Sequence, residues 1–140
     1  TNDAIEITGP SGHFVLHEDK PNPIVFVAFG DGFAPIKSLV EHAMTLDVTE
    51  DMQLYWLVPD KEDLYMHNHC RSWADAFERF AYYPVSYGKD DAVQVLSNSL
   101  DGNMKDHHFY IAGTDSQITK TKNALQTRGI PHESIFTETA

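Results

Sequence analysis

Apolar positions along this chain fall into two kinds of run, short and continuous or longer and periodic, and the two kinds alternate. Residues 23–29 (PIVFVAF) are almost wholly apolar and rich in β-branched side chains, the pattern of a strand buried on both faces. Gly30-Asp31-Gly32 interrupts the run, Pro35 suits a first helical turn, and Ile36, Leu39, Val40 and Ala43 follow at helical spacing. Residues 53–58 (QLYWLV) predict a second strand, the turn-like 59–63 a connection, and residues 66–77 a helix. A third strand is expected over 80–87, where Pro84 favours an edge position. Asp90-Asp91 can cap a helix running to Leu100. A fourth strand covers 107–112 and ends at Gly113. Asp115 is expected to cap a helix carrying Ile118, Lys122 and Leu125, closed by Gly129 and Pro131. Residues 134–137 make a short fifth strand.

Strand and helix alternating with links of about two to eight residues predict an α/β fold, a parallel sheet flanked by helices. Residues 1–20 break this rhythm. Residues 4–8 (AIEIT) alternate with period two, and a Gly9-Pro10-Ser11-Gly12 turn cluster precedes 13–16 (HFVL), as in the tail of a separate antiparallel element. The domain proper is therefore expected over 21–140.

Composition narrows the function. A hydrophobic fraction of 41% over 140 residues suits a single folded core. A net charge of −11 repels phosphate backbones and anionic lipid, which argues against nucleic-acid and membrane partners. No apolar run approaches the roughly 20 residues of a membrane span. One cysteine, Cys70, leaves no internal disulfide and fits a reducing cytoplasm.

The chemistry is concentrated in two loops. Gly30-Asp31-Gly32-Phe33-Ala34-Pro35 and Gly113-Thr114-Asp115 each lead from a strand into a helix. In an open α/β sheet the ligand lies beyond the carboxyl ends of the strands, where strand order reverses. If the two loops flank that point, helix N–H groups there can hold a dinucleotide pyrophosphate without any lysine. Neither the third glycine of G-x-G-x-x-G nor an ATP-binding loop is present, because Pro35, Asp31 and Ile36 occupy the positions required. On pattern alone the glycines are equally well read as tight turns. His67-x-His69-Cys70 and His107-His108 carry metal-ligand residue types, but their spacing sends neighbours apart on a helix or strand, so no metal site is expected.

The order of the motifs carries more weight than any one of them. Gly9-Pro10-x-Gly12-x-Phe14, the stretch from Val25 to Ser38, Leu54-Tyr55-Trp56, Glu62-Asp63-Leu64-Tyr65, Tyr110 to Gly113 and Phe136-Thr137-Glu138 together resemble the ferredoxin–NAD(P) reductase family, in particular its bacterial oxygenase-reductase branch. The likeness runs the length of the chain. It implies a Rossmann-like five-stranded sheet in the order 3-2-1-4-5, and it makes residues 1–20 the tail of a preceding flavin-binding β-barrel. The family passes hydride from NADH or NADPH to FAD or FMN, then single electrons to an iron–sulfur centre or another acceptor. By that resemblance Gly30, Asp31, Gly32, Phe33, Pro35, Asp60, Gly113, Thr114 and Asp115 line the nicotinamide-nucleotide site, and Glu138 lies near the nicotinamide–flavin junction. FAD or FMN would be held mainly by the preceding domain. Asp60 follows the second strand with no arginine, which favours NADH over NADPH because a carboxylate suits a ribose hydroxyl better than a phosphate.

Three positions depart from the family pattern, all where chemistry is expected: Asp31 for threonine, Ala112 for cysteine, and Ala140 for a terminal aromatic. They define a second reading, a domain that keeps the fold as a docking or regulatory module. A third, a flavodoxin-like signalling domain, lacks the acidic cluster expected after the first strand.

Overall fold

A computed structural model describes Leu16 and residues 22–46, 51–102 and 104–140. Five strands form one parallel sheet: β1 (Ile24–Phe29), β2 (Met52–Val58), β3 (Phe80–Ser86), β4 (His108–Gly113) and β5 (Ile135–Thr139), in the spatial order β3-β2-β1-β4-β5. Four helices connect them: α1 (Phe33–Thr45), α2 (His67–Ala76), α3 (Ala92–Ser99) and α4 (Asp115–Thr127). This is the fold expected. The β-like leader at 4–16 falls, apart from Leu16, outside the described residues; Leu16 itself is buried in the core.

The burial pattern explains the order. β1 and β4 are buried at every position, as the central strands of a sheet covered on both sides must be. Alternation sends Ile24, Phe26 and Ala28 into one cluster with residues of α1 and α2, including Ile36, Leu39, Cys70 and Trp73. Val25, Val27 and Phe29 point the other way, to Val93 and Leu96 of α3 and to Ile118 and Leu125 of α4. Burying each such aliphatic or aromatic side chain contributes roughly 1.5–3 kcal/mol, so the two clusters hold the layers together. β3, half exposed and carrying Pro84, takes an edge.

Helix ends follow the expected chemistry with one correction. Asp91 caps α3, its carboxylate accepting from the Val93 N–H at 3.0 Å. α4 is capped by Thr114 and not by Asp115. Thr114 Oγ1 accepts from the Gln117 N–H at 3.2 Å, and Gln117 Oε1 accepts from the Thr114 N–H at 3.0 Å. Thr114 has the extended backbone of a cap, which moves Asp115 to the first helical position. Gly129, with φ +94, ends the helix as expected.

Cys70 is fully buried and shares a hydrogen bond with Tyr82, whose hydroxyl also lies 3.0 Å from His67 Nδ1. Burial pushes the thiol from its ordinary 9.0 up to about 12, and Tyr55, buried between β2 and α3, from 10.0 up to about 12. The folded state thus keeps protons that the unfolded chain releases. Stability is fully present below pH 9 and is lost as pH rises through the 9–12 window. Urea midpoints should hold steady up to about pH 9 and then fall, and Cys70→Ala should delay the onset by about one pH unit, to where tyrosine ionises. An onset unmoved by that substitution would count against the thiol as its source.

Candidate functional site

Strand order reverses between β1 and β4, and the loops that follow these two strands lie side by side at the carboxyl edge of the sheet. The first loop, Gly30–Gly32, is a tight helical turn running straight into α1. Gly30 has φ +56, a conformation that side chains disfavour. Gly32 has a different reason to be glycine. A Cβ there would stand 2.3 Å from the Ala112 carbonyl oxygen, so the loop is pressed directly onto the end of β4. No side chain caps the N-terminus of α1, whereas α3 and α4 each have a side-chain cap.

Aromatic rings form the floor of this loop. Trp56 Nε1–H donates to the Gly30 carbonyl at 3.1 Å, and Phe33 stacks on Trp56 with ring centres 3.9 Å apart. Both rings are fully buried. Phe33 therefore shapes the site from beneath instead of facing a ligand. Tyr65, 61% exposed, stands edge-on to both rings at 5.9 and 5.2 Å.

Above the floor a groove of about 450 Å³ is lined by Gly30, Asp31, Pro59, Glu62, Asp63 and Tyr65. Burial raises the Tyr65 hydroxyl above its ordinary range and the Asp31 carboxylate adds to the shift, which puts that carboxylate near the ring's polar end. A second groove of about 480 Å³ shares Pro59 and Glu62 with the first and continues past Asp60, Lys61, Ser86, Tyr87 and Lys89. The two grooves adjoin at Pro59 and Glu62 across the ends of β1, β2 and β3, and together they are called the trough. Asp63 tightens its wall, since its carboxylate accepts from the Asp60 N–H at 3.2 Å.

The second loop is built differently. Gly113 is buried, and a Cβ there would meet Gln117 Oε1 at 2.8 Å and Phe29 Cβ at 3.0 Å. Thr114 and Asp115 are exposed, and neither lines the trough. Pro35 is half-buried in the first turn of α1. Glu138 is only 5% exposed, opposite Ala112 in the β4–β5 register. Strand alternation puts it on the face of Phe136 and Ala112, toward the first loop.

The structure thus places Gly30, Asp31 and Asp60 on the trough. Gly32 and Phe33 lie under it, and Gly113, Thr114, Asp115 and Glu138 lie to the β4–β5 side. Tyr65, Glu62, Asp63 and Lys89 also line the trough, although the sequence marks Glu62, Asp63 and Tyr65 only by family resemblance and Lys89 not at all. His67 engages Tyr82 while His69 faces Glu41 at 3.6 Å and Trp73. Among the described residues no group of three or more histidine, cysteine or acidic side chains could hold a metal ion. No helix among them is long and apolar enough to cross a membrane.

Comparison with known proteins bears on this site. A family model for the oxidoreductase NAD-binding domain matches residues 26–123, which include the first loop, the β2 end, Tyr65 and the second loop. Reductase component 1 of the terephthalate 1,2-dioxygenase of Comamonas is 28% identical, covering 93% of this chain and 41% of that protein. The NAD(P)H-flavin reductase of Vibrio harveyi is 27% identical, covering 91% and 60%. The crystal structure of an Amycolatopsis cytochrome P450 reductase shares the fold with a TM-score of 0.81 at 22% identity, over 94% of this chain and 43% of that one. The chain thus spans only part of the length of each of these relatives.

The contact between Gly32 and Ala112 leads to a stability prediction. Gly32→Ala should destabilise the domain by about 1–3 kcal/mol, because the clash is with backbone and no rotamer relieves it. Gly30→Ala meets open space and should cost only about 1–2 kcal/mol for its left-handed backbone. Urea unfolding of both variants checks the ranking, and a Gly32→Ala protein as stable as the parent contradicts the close approach.

Proposed function

This chain belongs to the oxidoreductase NAD-binding domain family, and on that premise we propose that it seats a nicotinamide dinucleotide along the trough and presents the nicotinamide to a flavin held by another domain of the same parent protein. The observation that carries the reading is the first loop. Its glycines bring backbone against the end of β4, and no side chain caps the N-terminus of α1, which leaves the positive end of that helix dipole open to an anion such as a diphosphate. When bound, the nucleotide and FAD or FMN supply the hydride chemistry, with onward transfer to an iron–sulfur centre or other acceptor. The chain's own residues bind and orient. Gly30 and Gly32 admit the diphosphate, Trp56 and Phe33 hold the loop, and Glu138 stands on the β5 side near the nicotinamide–flavin junction. Residues 1–20 are read as the tail of the flavin-binding barrel and residues 21–140 as the nucleotide-binding domain, and the single cysteine suits a reducing cytoplasm.

Charge along the trough supports NADH over NADPH. Asp60, Glu62 and Asp90 line its outer part against Lys61 and Lys89, with no arginine. A 2′-phosphate there would be repelled, whereas a ribose hydroxyl could donate to Asp60. Asp31 supports the second reading, a docking or regulatory module, because its exposed carboxylate lies where the diphosphate would approach.

Titration of NADH and NADPH against tryptophan fluorescence, with Trp56 beneath the loop, separates the readings. NADH should saturate below about millimolar, and NADPH should bind about tenfold more weakly, a difference of about 1.4 kcal/mol. Asp31→Thr should tighten both by about fivefold, the effect of removing one charge about 4 Å away in water. Absence of saturable binding by the full-length protein would sink the nucleotide-binding role and leave the docking module.

A further inference from the structure

The residues that end β5 are tied back to the start of α4. Thr139 Oγ1–H donates to Asp115 Oδ1 at 2.8 Å, and the Ala140 N–H donates to the Gly113 carbonyl at 2.8 Å. In the strand register Thr139 lies opposite Gly113, and Glu138 opposite Ala112. We infer that Asp115 is a positioning residue: with Thr139 it latches the end of β5 onto the β4–α4 loop and so sets the depth of Glu138 beside Ala112. The inference rests on the proposed function, which gives that depth its meaning.

Three observations carry it. First, Asp115 is released from capping, because Thr114 and Gln117 already satisfy each other's groups at the N-terminus of α4. Its carboxylate is turned to Thr139 instead. Second, among the described residues β5 is an edge strand with β4 as its one neighbour, so its last residues there have ladder bonds on one side alone. The latch supplies an attachment outside the ladder. Third, side chains alternate along a strand, so Thr139 points away from the face that carries Glu138. Holding the exposed side chain of Thr139 therefore fixes how far Glu138 reaches inward, where it is buried.

An acid at the first position of a helix also gains from the helix dipole. The conservative variants separate the two roles. Asp115→Asn keeps an acceptor for Thr139 and removes the charge; Thr139→Ser keeps the donor. Neither Asp115→Ala nor Thr139→Val can form the bond.

The test is NADH-driven reduction of the flavin in the full-length protein that carries this domain. Asp115→Ala and Thr139→Val should each lower kcat about tenfold with little change in KM, since small displacements at a reacting centre cost rate more than binding. Asp115→Asn and Thr139→Ser should retain most of the parent kcat, and the double variant Asp115→Ala/Thr139→Val should be no slower than either single one. A fall in melting temperature with unchanged kcat would make the contact merely structural and overturn the inference. So would an Asp115→Asn protein as slow as Asp115→Ala, which would assign the effect to charge. If the parent protein passes no hydride from NADH to its flavin, the proposed function fails, and the latch is judged by hydrogen exchange of the Ala140 amide. That exchange must then be faster in Asp115→Ala and Thr139→Val than in the parent; equal exchange overturns the latch as well.

Discussion

The space between the first loop and the end of β4 is the constraint on which the rest of the site depends. A Cβ added at Gly32 would stand only 2.3 Å from the Ala112 oxygen, so the two loops at the point of strand reversal are in direct backbone contact. Everything nearby accommodates that approach. Trp56 reaches across from β2 to hold the Gly30 carbonyl, Phe33 lies flat on Trp56, and Tyr65 closes the ring cluster at its exposed side. The trough runs along the groups this packing leaves uncovered. Trough and core are here two sides of one layer of aromatic rings, and a change to the floor alters the trough without altering any residue that lines it.

The same edge of the sheet is divided by chemistry. On the β1–β2 side, backbone donors of α1 are left without a side-chain partner, and carboxylates stand further along. On the β4–β5 side, α4 is closed by its own Thr114–Gln117 pair, and Asp115 is engaged by Thr139. Two strand-to-helix loops that look alike in sequence therefore differ in what they offer. One leaves its helix without a side-chain cap, and the other is tied to the end of β5.

How much of this was legible beforehand depended on how local the cause was. The fully buried strands announced themselves as continuous apolar runs, Pro84 marked the edge, and Asp91 marked a cap, because each signal acts within its own segment. The capping of α4 was misread because Thr114 and Asp115 are both good cap residues. What separates them is the backbone, extended at Thr114 and helical from Asp115, together with the Gln117 side chain that completes the cap. That Phe33 lies beneath the first loop, flat on Trp56, depends on a residue of another strand and is not written in its own segment. Tyr65, Glu62 and Lys89 line the trough only because the ends of β1, β2 and β3 come together, which no stretch of sequence states by itself.

The sheet order has a consequence in time as well as in space. β1, near the start of the domain, finds one of its two neighbours only when β4 arrives, with Ile24 paired to His108. Until then an almost wholly apolar strand keeps an open edge, and such non-local closure is slow because chain entropy is lost before contacts form. The crevice between the two loops is made by that closing step. A nascent or partly unfolded chain can thus possess α1, its glycine turn and its aromatic floor and still have no crevice. Occupancy of the site would then report that the sheet is complete, and ligand would stabilise the pairing most dependent on distant parts of the chain.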